Sequence, residues 1–258
     1  MNLFMLDVIT QMLGIIKMEE IGISVIMPSY LGEYPGSRKD PDKKFIRSVK
    51  SFKEQSLKEK ELIIISDGCE ITNQIYHDNW KEDPTIRLII SEKMQVTWPG
   101  ELREMGRSIA KYDWITYLDS DDMYLDLHLS KISTKLSNID SEITVLFNIQ
   151  KLIPLPENPN ELMLAYCKMK SIEDYLTFRE QLTEIHGHKM AMAINKTHSG
   201  TWQLVHHKQI PHRWMNSDEM GEDAFFIERI KRTEKWEDFK GAYIIGHTTF
   251  NRMDIWDI

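Results

Sequence analysis

The sequence has little cysteine, with Cys69 and Cys167 the only two in 258 residues. That is too few for a disulfide framework or a cysteine-based zinc site, and it fits a reducing cytoplasm. An excess of positive charge is also missing: 32 Lys and Arg face 40 Asp and Glu, for a formal net charge of −8. Such a chain repels a polyanion at long range, which argues against non-specific nucleic-acid binding. Long apolar runs are absent too. The richest segment, "MNLFMLDVITQMLGIIK" at residues 1–17, is interrupted by Asp7, has no positive start and is too short to span a bilayer. It reads as a docking helix, with peripheral membrane contact as the alternative, and Met18 is an alternative start. There is no internal repeat or low-complexity stretch. With 41% hydrophobic and 28% charged residues, 12 Gly and 9 Pro, the chain is an ordinary globular one, long enough for a full α/β domain.

What is present is an alternation. "ISVIMPSY" (residues 23–30) is an apolar run closed by Pro28, the pattern of a buried strand. From Asp40, a candidate N-cap before Pro41, a helical stripe of Phe45, Ile46, Val49 and Phe52 follows. The order then runs strand "ELIIIS", helix "ITNQIYHDNW", strand "IRLIIS", helix "ELREMGRSIAKY", strand "WITYLD". Nearly continuous apolar strands separated by helices predict a mostly parallel sheet with helices on both faces, and ligands bind beyond the carboxyl ends of such strands. Later elements are less regular: strands at "ITVLFNI", "KMAMAIN", "TWQLVHH" and "AYIIGH", a Pro-rich loop from Pro154 to Pro159, and helices near residues 172–182 and 222–231.

Three polar clusters fall at strand ends: Pro28 to Tyr30, Ser66 to Cys69, and Asp119 to Asp122. The last crowds three carboxylates into "DSDD", which repulsion opposes unless something offsets it. A calcium loop would need Gly at its sixth position and an acid at its twelfth, where this chain has Tyr124 and Ser130. A phosphatase of the haloacid dehalogenase type would need Thr where Met123 stands. A solvated turn capping the next helix is the plain alternative. The remaining chemistry is a hard divalent cation, Mn²⁺ or Mg²⁺, held by carboxylates against a nucleotide diphosphate, and the ion would relieve the repulsion.

At this point the chain resembles the family-2 glycosyltransferases with the GT-A fold, through the order of motifs across residues 22–233. "ISVIMPSY" looks like the family's first strand and "ELIIISDGCE" like the second, which ends in Asp-Gly-Ser. "WPGELREMGRSIAKYDWITYLDSDD" looks like the Gly-x-x-x-Ala-Arg-Asn-x-Gly helix leading to the Asp-x-Asp strand, and "MGEDAFFIERI" like the late Glu-Asp motif. The resemblance implies a single Rossmann-like GT-A domain, with residues 1–20 an extension, 21–126 the nucleotide-sugar half and 127–258 the acceptor half. It implies that Pro28, Ser29, Tyr30 and Asp67 bind the base and that Arg103 contacts the diphosphate. By the same resemblance Asp119 touches ribose or sugar, Asp121 or Asp122 ligates the metal with His247 completing it, and Asp223 is the catalytic base with Glu222 as alternative. Departures from the family pattern are Ser66 before Asp67, Cys69 for Ser and Glu104 for Asn.

The implied activity is metal-dependent transfer of a sugar, from a UDP-linked donor, to the hydroxyl of a glycan or small-molecule acceptor, with inversion. A retaining enzyme, a non-catalytic nucleotide-sugar-binding protein and an Asp-x-Asp phosphohydrolase are the alternatives. His206, His207, Lys208, His212 and Arg213 form a local positive cluster that reads as a solvated loop or as a phosphate or acidic-acceptor contact.

Overall fold

The structure is a computed structural model, and it describes residues 20–33, 40–92, 99–154, 190–194, 198, 200–215, 222–242 and 244–245. The expected helix near 172–182, the docking segment 1–17, Cys167 and His247 lie outside the described residues. Seven strands form one sheet in the order β10-β6-β9-β4-β1-β2-β3. They are β1 (Ile23–Ser29), β2 (Lys60–Asp67), β3 (Ile86–Ser91), β4 (Trp114–Tyr117), β6 (Val145–Asn148), β9 (Leu204–His207) and β10 (Trp236–Phe239). The β4-β1-β2-β3 block is parallel, whereas β9 runs antiparallel to both its neighbours and β10 parallel to β6. Because β9, β6 and β10 continue the sheet begun by β1, one sheet runs through both the early and the late part of the chain.

Both faces are covered. Along β2, Leu62 and Ile64 point to one side, Ile63 and Ile65 to the other, and all four are fully buried. The first face packs on Phe45, Val49 and Phe52 of helix α1 (Pro41–Lys53), on Ile75 and Tyr76 of α2 (Glu70–Asn79), and on Leu129 and Ile132 of α4 (His128–Leu136). The second face receives Leu102 of α3 (Gly100–Ser108) and Phe226, Ile227 and Ile230 of α5 (Glu222–Thr233). Double coverage is the reason this strand is a continuous apolar run and not an alternating one.

Some boundaries differ from the sequence pattern for identifiable reasons. Asp40 does occupy the N-cap of α1, but in a left-handed conformation (φ 49°) with no side-chain cap bond, and its carboxylate pairs with Lys43 at 3.3 Å. Helix α3 stops four residues early. Beyond it the Lys111 N–H bonds Oε1 of the buried Glu61 at 2.5 Å and the Tyr112 N–H bonds Ser24 Oγ at 3.0 Å, which turns the chain into β4. "TWQ" forms a 3₁₀ turn (Thr201–Gln203) before β9 instead of strand. A smaller sheet, β5-β11-β7-β8, joins β5 (Met123–Tyr124), β7 (Gln150–Pro154), β8 (Met190–Ile194) and β11 (Ile244–Ile245).

Helix α3 lies close on the sheet at Gly106, where an added Cβ would sit 2.6 Å from Ile26 Cγ2 in the middle of β1. Ile26 is fully buried and has no room to yield. Gly106→Val is therefore expected to lower the unfolding free energy by about 1–3 kcal/mol through overpacking. Urea melts at pH 7 check this, and an unchanged midpoint would mean that the helix rides further from β1.

Candidate functional site

The parallel strands β1, β2 and β4 end on one edge of the sheet, in register Ser29 against Ser66, with Leu118 N–H bonded to Ile26 O at 3.1 Å. This edge carries Ser29, Tyr30, Asp67 and Asp119. Ser29 Oγ and Thr72 Oγ1 of α2 share a buried hydrogen bond of 2.9 Å. Gly68, at φ 59°, takes the left-handed conformation that turns the chain from β2 into α2, and beside it Cys69 is buried with its Sγ accepting the Leu31 N–H at 3.3 Å.

The acidic stretch is a tight turn, closed by the Asp122 N–H on Asp119 O at 3.1 Å. Its backbone is held from below by one face of α1. Arg47 Nη2 donates to Asp121 O at 2.5 Å and Ser48 Oγ to Asp119 O at 3.1 Å. Ser51 Oγ accepts the Tyr124 N–H at 3.0 Å, and Gln55 grips Leu125 O (2.8 Å) and the Leu129 N–H (2.9 Å). Positions 48, 51 and 55 recur at helical spacing on one side of an otherwise apolar packing face, which is a signal the sequence does carry. Asp122 is only 1% exposed, whereas Asp121 and Asp119 are half-buried.

The centre of the site is Arg103. It reaches from α3 to Glu222 Oε1 at the first turn of α5 and, at 3.4 Å, to Asp119 Oδ1 at the end of β4. Both Arg103 and Glu222 are buried. Burial opposes the guanidinium charge, but Asp119 and Glu222 outweigh it and hold Arg103 firmly cationic. Asp119 Oδ2 also receives Thr201 Oγ1 at 3.5 Å, which the 3₁₀ turn brings over the strand end. Next to Glu222, the Asp223 carboxyl is pushed up to about 6, first by burial and then by the neighbouring negative charge of Glu222, with Arg103 pulling the other way. Four groups predicted from two distant stretches, Arg103 and Asp119 from one and Glu222 and Asp223 from the other, thus form one electrostatic cluster. Pro28, Ser29, Tyr30 and Asp67 lie further along the same edge.

The positive cluster does not survive as such. His206 is fully buried in β9, and burial depresses it to about 3, so it is neutral. Its Nδ1 donates to His207 O (2.9 Å) and its Nε2 accepts from Tyr117 OH (2.8 Å). Lys208 pairs with Asp113 at 3.0 Å and His212 bonds Thr233 Oγ1 at 2.6 Å, each on a different partner.

The family comparison decides what this edge belongs to. The model of glycosyl transferase family 2 matches residues 24–196. The chain belongs to that family. This family 2 domain also has the fold of S. aureus TarS: the structure of TarS 1–349 matches with a TM-score of 0.60 at 13% identity, covering 88% of this chain and 60% of that one. TarS 1–349 in complex with UDP matches at 0.57 and 15% identity, covering 88% and 61%, and in complex with UDP-GlcNAc at 0.56 and 13%, covering 92% and 61%. The chain thus spans about three fifths of those structures. No curated protein matches it. Among the described residues no helix is long and apolar enough to cross a membrane, and no three His, Cys, Asp or Glu residues converge to hold a metal ion by themselves.

Breaking the central ion pair strands a buried charge. Arg103→Met should cost about 3–5 kcal/mol of stability at pH 7, and adding Glu222→Gln should recover much of it. Denaturant midpoints for both single variants and the double variant measure this, and additive losses would show that the two groups act independently.

Proposed function

We propose that the chain transfers a sugar from a nucleotide-diphosphate donor to an acceptor hydroxyl, with Asp223 as the base. The observation that carries this is the half-buried Asp223 carboxyl, poised near 6 beside the Arg103–Asp119 contact on the strand-end edge. A base working near neutral pH needs a proton affinity raised to that range. Glu222 is the poorer candidate, because it is buried and bound to Arg103.

Uridine diphosphate is the donor nucleotide we favour, on the strength of the similar TarS structures that contain UDP and UDP-GlcNAc. Pro28, Ser29, Tyr30 and Asp67 would take the base and ribose, at the strand ends where ligands of open α/β sheets lie. Arg103, braced by two carboxylates, would face the diphosphate as a fixed positive charge at this edge.

The carboxylate oxygens of Asp119 and Asp121 suit a hard divalent ion, Mn²⁺ or Mg²⁺, that takes one or two protein ligands and fills its shell from the diphosphate. Asp121 is the better placed of the two neighbours, since Asp122 is turned into the protein. When bound, such an ion supplies Lewis-acid stabilisation of the departing diphosphate.

In the reaction Asp223 removes the proton of the acceptor hydroxyl as that oxygen forms its bond to the anomeric carbon. The bond from that carbon to the diphosphate oxygen breaks on the opposite side, and its electron pair leaves with the diphosphate. A single displacement of this kind inverts the anomeric centre.

Three measurements test the proposal. UDP should raise the melting temperature in the presence of Mn²⁺ and not after chelation, and no shift with UDP-, GDP- or dTDP-linked sugars under either condition would remove the transferase reading. Asp223→Asn should lower turnover by about 10²–10⁴-fold while donor affinity stays within a few-fold. Because the base acts when deprotonated, the wild-type rate should climb from pH 5 to pH 7 through an ionisation at about 6 and then level off. A rate that falls over that interval would reassign Asp223.

A further inference from the structure

We propose that Trp214 is a positioning residue that holds the Arg103–Glu222 pair, and through it the Asp223 carboxylate, in working geometry. This rests on Asp223 being the base, as argued above. Trp214 lies in the loop that follows β9, outside any regular element, yet it is only 2% exposed. It meets three separate elements of the site. Its ring stacks on Phe226, one helical turn beyond Glu222 on α5, with centroids 3.9 Å apart and planes at 17°. The Arg103 guanidinium carbon stands 5.1 Å from its ring centroid. Its Nε1–H donates to Tyr117 OH at 2.7 Å, on the strand that ends in the acidic turn.

The loop around it is tied to the same two helices. The Trp214 N–H bonds Glu104 Oε2 at 3.2 Å, and Arg107 Nη1 bonds Ile210 O at 3.0 Å, both from α3. From α5, Arg229 Nη2 bonds Arg213 O at 2.8 Å. Glu104 stands where the family pattern has Asn, so this departure has a local use.

The physical need is specific. Arg103 and Glu222 are 119 positions apart, on two helices that this ion pair joins. A guanidinium has several rotamers, and a buried one must be kept from swinging off its carboxylate. An indole face on one side of Arg103 restricts it and adds cation–π attraction, while the stack on Phe226 keeps the first turn of α5 at the same height. Below, Tyr117 and His206 pass the hydrogen-bond chain on to His207 O, so the indole edge is itself fixed. An ordinary core tryptophan would need none of this alignment with the charged groups.

The test compares Trp214→Phe and Trp214→Met in turnover of a UDP-sugar with Mn²⁺, with donor affinity measured by calorimetry. Phe keeps a π-face for Arg103 and Phe226, and Met fills volume without one. Trp214→Met should lower kcat by about 10–100-fold with donor affinity within about 3-fold, because misplacing a base costs rate and not binding. Trp214→Phe should stay within about 5-fold of wild type in kcat, since the aromatic face is retained. In an Arg103→Lys background the Met substitution should cost no more than about a further 2-fold, since both act along one path. Full kcat in a folded Trp214→Met variant, or losses that multiply with Arg103→Lys, would overturn the proposal. If Trp214→Met does not fold, Trp214→Leu, which also lacks an aromatic face, takes its place in the cycle with Arg103→Lys, and multiplying losses overturn the proposal. Asp223→Asn is run alongside: if it turns over normally, the base assignment fails and this proposal with it. A dead Asp223→Asn with an unaffected Trp214→Met sinks only the role of Trp214.

Discussion

A guanidinium buried between two carboxylates is the constraint around which this molecule is arranged. Arg103, Glu222 and Asp119 come from a helix on one side of the chain's midpoint, a helix near its end and the tip of a central strand. Removing any of these charges from water is costly, and the cost is met only when all are present and aligned. The sheet sets where Asp119 emerges, the close approach at Gly106 sets how near α3 comes, and the packing of Phe226, Ile227 and Ile230 sets where α5 begins. Each of these is an ordinary hydrophobic contact. Together they bring opposite charges into contact without water, where electrostatic interactions are strongest.

The same arrangement explains why two adjacent carboxyl groups on α5 differ. Glu222 points to the cation and is committed to it. Asp223 is pushed up to about 6 by its own burial and then by the negative charge of its neighbour, with the same cation pulling the other way.

Much of this was legible in the sequence, and for a clear reason. Continuous apolar runs such as "LIII" in β2, bounded by polar residues and separated by helical stripes, read as strands covered on both faces, and β3 falls on its predicted residues. The strand ends then mark the ligand edge without reference to any single motif. What stayed hidden was burial of polar groups. Arg103 reads the same whether it faces solvent or a carboxylate 119 positions away, and His206 and Trp214 look like parts of a polar loop until β9 turns one inward and α3 catches the other. Pairings across such distances leave no local periodicity. Short edge elements such as β10, with its two adjacent acids in "WEDF", were hidden for the opposite reason, since a strand with little burial has little pattern.

Arg47, Ser48 and Ser51 of helix α1, with Gln55 just beyond its end, grip the acidic turn by its carbonyl oxygens and amides. Shape and chemistry are therefore encoded by different residues. The path of the main chain is written on a helix some seventy positions upstream, while the groups it presents are written at the turn itself. Side chains at the tip can then be exchanged over evolutionary time without redesigning the platform beneath them, so that a single scaffold can be retuned toward new ligands one residue at a time.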